Sequence, residues 1–122
     1  MKNILLVEDD SFLIDIYTTK LKESGYSVEV ASEGEEAIRK IKENNFDLVL
    51  LDIVLPHTDG WDVLRQIKSE PNFKKLKIII ISNLGQKEEV AKGFELGAEK
   101  YLIKAHYSPS EVVKEIKEVL GE

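Results

Sequence analysis

Cysteine is absent from the 122 residues, which excludes disulfide scaffolding, thiolate catalysis and Cys-ligated zinc. No hydrophobic run approaches the ~20 residues needed to cross a bilayer; the longest aliphatic stretch is Ile78-Ile79-Ile80-Ile81. A positive charge excess is also missing. Seventeen basic residues face 23 acidic ones, for a formal net charge of −6, the wrong sign for a chain that binds DNA or RNA directly by neutralising phosphates. Proline is scarce at three residues, and there is no linker, sequence repeat or low-complexity tract. What remains, 43% hydrophobic and 33% charged, fits one domain over residues 1–122 that builds its own core. The expectation is a soluble cytoplasmic protein without membrane contact.

Four short apolar runs stand out: Ile4 to Val7, Leu48 to Leu51, Ile78 to Ile81 and Tyr101 to Ile103. Continuous β-branched and aliphatic runs of this length suit strands buried on both faces. A fifth run, Tyr26 to Val30, alternates apolar and polar and suits an edge strand. Helical spacing fills the gaps, over about 11–23, 33–43, 60–69, 86–96 and 109–120. Start signals predict two of these helices. Ser32 precedes Glu35 by three residues, and Ser108-Pro109-Ser110-Glu111 joins a capping box to proline at the first helical position. Gly25 and Gly97 are placed to end helices in a left-handed residue. The loop-like cluster Ser69-Glu70-Pro71-Asn72 joins the third helix to the fourth strand. Five strand–helix alternations with right-handed crossovers predict a doubly wound α/β sandwich: a five-stranded parallel sheet with helices on both faces.

The polar residues that end the strands carry the chemistry. The first run closes with Glu8-Asp9-Asp10, the third with Asp52, the fourth with Ser82-Asn83 and the fifth with Lys104. In a parallel sheet these carboxyl ends share one edge, where open α/β folds bind ligands. Any one of these residues alone has an ordinary structural reading, and Asp10 in particular suits a helix N-cap. Jointly they are harder to dismiss, because a carboxylate continuing a buried strand is costly without a partner. Clustered carboxylates call for a cation, and hard oxygen ligands favour Mg²⁺. Beside such a metal Asp52 is the natural nucleophile towards phosphorus, forming an acyl phosphate, with Lys104 and Ser82 contacting the phosphoryl oxygens.

At these residues the chain resembles the receiver domains of two-component response regulators, over about Lys2 to Leu120. The motifs are ILLVEDD, LVLLDIVLPHTDG, IIIISN and GAEKYLIK, in that order. The resemblance implies a flavodoxin-like (βα)5 fold with strand order 2-1-3-4-5. It implies that Asp52 accepts a phosphoryl group, that Asp9, Asp52 and the Val54 carbonyl bind Mg²⁺ with Glu8 behind them, and that Lys104 and Ser82 contact phosphate. Tyr101 matches the aromatic switch that turns inward with Ser82, and the output face would be the fourth helix, fifth strand and fifth helix. The implied partners are a sensor histidine kinase or phosphotransfer protein and a downstream protein effector, with the chain a monomer or a phosphorylation-dependent dimer. It would catalyse its own phosphorylation and dephosphorylation without being a substrate-turning enzyme. With nothing after Leu120 to serve as an output domain, it reads as a stand-alone, chemotaxis-type receiver or a domain cut from something longer.

Three positions depart from the family pattern. Ala105 stands where receivers have proline, often in a cis bond; a non-proline cis bond costs about 2.5–4 kcal/mol, so the loop either goes trans or tolerates strain. Glu8 replaces the commoner aspartate. Asn83 is bulkier than the usual small residue, which would narrow access for small phosphodonors. The resemblance also implies that the residues two after Asp52 and two after Ser82 border the path of hydrolytic water; here they are Val54 and Leu84, both apolar, which predicts a persistent phosphoryl group.

Elsewhere the ordinary readings prevail. His57 and His106 flank the site without matching a family role, Trp61 suits packing, and Lys74-Lys75-Leu76-Lys77 a solvated strand entry. The Lys/Glu mixture of 86–99 reads equally as solvated face or partner surface. A Mg²⁺-dependent phosphatase would need a general acid and a substrate cap, neither of which is evident. A flavodoxin-like cofactor binder would need a phosphate-cradling loop where Glu8-Asp9-Asp10 stands. A degenerate receiver that is never phosphorylated is kept open by Ala105.

Overall fold

A computed structural model describes residues 1–122. The strands are β1 (Asn3–Val7), β2 (Ser27–Ala31), β3 (Leu48–Leu51), β4 (Lys77–Ser82) and β5 (Lys100–Ile103). The helices are α1 (Ser11–Glu23), α2 (Gly34–Glu43), α3 (Gly60–Ser69), α4 (Lys87–Glu95) and α5 (Pro109–Leu120). The sheet is parallel throughout, in the order β2-β1-β3-β4-β5. This is the predicted doubly wound architecture, and every helix lies within two residues of its expected span.

Period-two alternation sends each strand's side chains to two cores. Leu5, Val7, Val49, Leu51, Ile78 and Ile80 face α2 and α3 through Ala37, Ile41, Val63, Leu64 and Ile67. Ile4, Leu6, Leu48, Leu50, Ile79 and Ile81 face α1 and α5 through Leu21, Val112 and Ile116. All these strand residues have no exposed surface, which is why β1, β3 and β4 read as continuous apolar runs. Only β2 lies at an edge with an alternating pattern, and it keeps partial exposure. It begins one residue later than expected: the Tyr26 N–H bonds back to Leu21 O at the end of α1, at 3.1 Å, while its buried side chain donates its hydroxyl to Glu122 Oε1 at 2.5 Å.

Local signals held at most helix ends. Ser108 and Glu111 form the reciprocal cap of α5, at 2.8 and 3.2 Å, and Gly25 and Gly97 adopt positive φ of 93° and 110°. The start of α2 differs from expectation. Ser32 does not cap it; its N–H donates instead to Glu36 Oε1 at 2.8 Å. The helix begins at Gly34, after an extended Glu33 whose side chain makes no capping bond, and Thr58, from the β3–α3 loop, occupies the space a Cβ at residue 34 would need. The loop before β4 also contains a single 3-10 turn, Pro71–Phe73. No helix is long and apolar enough to cross a membrane.

Candidate functional site

The sheet order reverses at β1, whose neighbours are β2 and β3, and the site lies at that carboxyl edge. Two ladder bonds run past the strands proper: Glu8 N–H donates to Ala31 O and Asp52 N–H to Val7 O, both at 3.0 Å. These bonds pull both carboxylates inward. Glu8 is 1% exposed and Asp52 4%, while Ser82, ending β4, is fully buried. Asp9 and Asp10 are exposed. Asp10 is the N-cap of α1, accepting from Phe12 N–H at 2.9 Å and Leu13 N–H at 3.2 Å, so its predicted structural role is the one it has.

From β5, Lys104 reaches into the pair of buried acids. Its Nζ lies 2.7 Å from Glu8 Oε1 and 2.8 Å from Asp52 Oδ2. The second oxygen of each acid is held by backbone. Glu8 Oε2 accepts from Asp9 and Asp10 N–H at 3.1 and 3.2 Å, and Asp52 Oδ1 accepts from Val54 N–H at 3.2 Å. Ser82 Oγ accepts from Leu84 N–H at 3.2 Å. These groups share a cavity of about 480 Å³ whose wall also includes Val54, Asn83 and Leu84.

Burial pushes the Glu8 carboxyl above its ordinary value; the neighbouring Asp52 charge acts the same way, and Lys104 opposes both. For Lys104, burial alone would lower the ammonium, but its bonds to Asp52 and Glu8 outweigh that and raise it, so it stays charged at neutral pH. Carboxylate oxygens of Glu8, Asp9 and Asp52 lie within 4.8 Å of one another. Three carboxylates against one ammonium leave two negative charges formally uncompensated. Glu8 Oε1 touches Lys104 as an ion pair yet accepts no well-angled hydrogen bond. Glu8 Oε1, met by the ammonium alone and at poor angle, together with an all-oxygen donor set and two uncompensated charges, fits a hard divalent cation.

All the residues singled out at the strand ends therefore converge. Tyr101 is 9% exposed and faces inward, its hydroxyl donating to the Leu84 carbonyl. No peptide bond is cis, so of the two alternatives at Ala105 the loop takes the trans one, with a 3-10 turn over Lys104–His106. His57 and His106 are exposed and do not line the cavity; His57 carries a left-handed φ of 63°. Trp61 packs against the larger core, with Lys92 Nζ 4.5 Å from its ring centroid. Sequence reading missed two features. The amides of residues 9 and 10 orient Glu8, for which the sequence carries no signal. Asn83 Oδ1 accepts from Ala105 N–H at 3.1 Å, a bond that an amide side chain and a non-proline loop residue together could have suggested.

Comparison with known proteins follows the same lines. A family model for the response regulator receiver domain matches residues 4–117. The transcriptional regulatory protein ResD of Bacillus subtilis is 38% identical over 117 residues, which are 96% of this chain and 47% of ResD. The chain spans about half or less of the length of the curated relatives it matches in this way. Among solved structures, a CheY-like response regulator receiver domain protein from Methanospirillum hungatei superposes with a TM-score of 0.92 at 30% identity, covering 99% of this chain and 94% of that one. The Mn²⁺-bound form of response regulator Rcp1 superposes with a TM-score of 0.85 at 26% identity, covering 96% and 92%.

Proposed function

The chain belongs to the response regulator receiver domain family, and from that premise we propose that Asp52 accepts a phosphoryl group from the phosphohistidine of a sensor histidine kinase or phosphotransfer protein. An Asp52 carboxylate oxygen attacks phosphorus, the P–N bond of the donor breaks, and the imidazole leaves with the electron pair. Asp9, Asp52 and the Val54 carbonyl would hold Mg²⁺, with Glu8 behind them; the Mn²⁺-bound relative supports a divalent cation at such a site. Bound there, the ion supplies positive charge that offsets the repulsion between carboxylates and phosphoryl oxygens.

The chain's own groups do the positioning. Lys104 already touches Asp52, and its flexible stem can carry the ammonium to a phosphoryl oxygen. Ser82 and the Asn83 side-chain amide also border the cavity with polar groups, and the Val54 N–H holds Asp52 Oδ1. Such a transfer needs little covalent chemistry from the protein beyond orientation and charge. On this reading the chain promotes its own phosphorylation and hydrolysis and turns over no separate substrate. Ser82, drawn towards phosphate, would move the Leu84 loop that Tyr101 holds, and so alter the α4-β5-α5 face for a downstream protein or a second copy of the chain.

The observation that carries the reading is the Lys104 ammonium shared between two buried acids beside an acidic cavity. Incubation with acetyl phosphate and Mg²⁺, followed by intact mass, tests it. Wild type should gain one phosphate and Asp52→Ala none. Equal gain in both, or no gain in wild type from either acetyl phosphate or a phosphohistidine protein, would overturn it.

A further inference from the structure

The β5–α5 loop carries Lys104 but lacks the proline that would stiffen it, and Ala105 exposes a backbone N–H that proline would not have. That N–H is bonded by Asn83 Oδ1 at 3.1 Å. Asn83 sits immediately after Ser82, between β4 and α4, and borders both the acidic cavity and the adjoining hollow lined by Leu13, Tyr17, Lys104 and Tyr107. The rest of the loop is weakly tied. Its 3-10 turn closes through Tyr107 N–H to Lys104 O at 3.4 Å, and Ala105 and His106 are exposed. On the other side of the same stretch, the Leu84 carbonyl accepts the Tyr101 hydroxyl. Residues 83 and 84 are thus bonded to β5 at one point and to the loop beyond it at another.

We propose that Asn83 is a positioning residue for Lys104, acting through the Ala105 N–H. The side-chain amide does for this loop what a fixed proline φ would do: it narrows the conformations open to residue 105, and with them the arc the Lys104 ammonium can sweep. The pairing also joins two of the chain's departures from the family pattern. An acceptor at 83 is useful only because residue 105 has a donor, and a non-proline at 105 is restrained only because residue 83 can accept. One shared stretch therefore sets both where Lys104 points and where Tyr101 docks. The catalytic value of holding Lys104 rests on the phosphoacceptor reading, but the latch itself can be measured without any phosphoryl group.

The test compares wild type with Asn83→Ala, Asn83→Leu and Asn83→Asp. Leucine keeps the bulk without an acceptor, and aspartate keeps an acceptor of the same reach. Two readouts are taken without phosphodonor: solvent exchange of the Ala105 amide by NMR, and trace acylation of Lys104 relative to exposed Lys114, read by peptide mass spectrometry. The Ala and Leu variants should raise both by about three- to tenfold, the loss of one net hydrogen bond, and Asp should restore both. If Leu behaves as wild type, or if Ala105 exchange is unmoved in the Ala variant, the latch is wrong. Phosphoryl loading from acetyl phosphate then reads the functional consequence: it should be slowed by a similar factor in Asn83→Leu relative to wild type, since that variant keeps the bulk on the cavity wall and loses only the acceptor. A wild type that never loads would defeat the phosphoacceptor role while leaving the exchange and acylation results to judge the latch.

Discussion

Lys104 is the residue on which the site's charge balance turns. Its ammonium is the cation within ion-pair distance of both Glu8 and Asp52, and removing one partner of a buried ion group leaves the others uncompensated. Lys104→Met should therefore cost about 3 kcal/mol, the lower part of the range for such losses because the cavity admits water. Urea unfolding in the presence of chelator measures it. Adding Glu8→Gln should recover more than half of the loss; a double variant as unstable as the single would mean that the stem's packing, not its charge, was lost. A second expectation concerns Leu84, which lines the cavity with an apolar side chain. Leu84→Asn, able to orient water, should speed decay of phosphorylated protein by about tenfold; an unchanged decay would remove Leu84 from that path. Sequence made the strand-end acids and Lys104 visible because charges abutting buried apolar runs demand an explanation. It could not reveal the Tyr101 rotamer or the Asn83 bond, which depend on how two loops meet.

At the scale of elements, α4 and α5 are held by different devices. Gly93 in α4 lies over β5, where an added Cβ would stand 2.7 Å from the Tyr101 ring and 2.8 Å from Ile80. In an open helix Gly93→Ala would gain up to about 1 kcal/mol. Here the new methyl should instead drive the Tyr101 ring outward, the one neighbour with somewhere to go. Burial now raises the Tyr101 hydroxyl above its ordinary value, with Glu89 adding to it. Spectrophotometric titration, with Tyr101→Phe as reference, should find that hydroxyl back near an ordinary tyrosine; an unshifted one would mean the ring stayed put. In α5, the Ser108 N–H bonds Glu111 and holds its carboxyl below the ordinary 4.5, and Lys100 does the same for Glu118. A depressed folded value means the folded chain takes up the proton less readily. The contribution is thus complete above about pH 4.5 and is lost as pH falls through the folded value. Ser108→Ala should cost about 1 kcal/mol at neutral pH, because the hydroxyl no longer accepts the Glu111 N–H, but it keeps the backbone N–H that holds the Glu111 carboxylate. Glu111→Gln, which removes the titrating group, is the variant that should flatten the acid limb of urea midpoints as pH falls below about 5. The cap at Ser108 was legible because Ser-Pro-Ser-Glu is a local signal. The signal at Ser32 misled because the acid that pairs with it is Glu36, one residue beyond the capping-box position, and α2 takes the extended Glu33 as its N-cap.

For the whole molecule, the decisive fact is that β1, β3, β4 and β5 each deliver a site residue to one edge. That much follows from the apolar runs and the right-handed crossovers they require. A cation bound among Glu8, Asp9 and Asp52 is then contacted by residues that only the assembled sheet brings together, so its binding free energy stabilises the global fold and not one loop. At a concentration one hundred times its dissociation constant the gain is about 2.7 kcal/mol. In the wild type, Lys104 already neutralises part of the cluster, whereas Lys104→Met leaves that charge for the cation to offset. Mg²⁺ should accordingly raise the urea midpoint of wild type, raise that of Lys104→Met by more, and leave that of Asp9→Asn almost unmoved, with the slope of unfolding unchanged in all three. A smaller rise in Lys104→Met than in wild type would mean that the ammonium helps to build the cation site instead of competing with it, and would reverse the roles argued for the two charges.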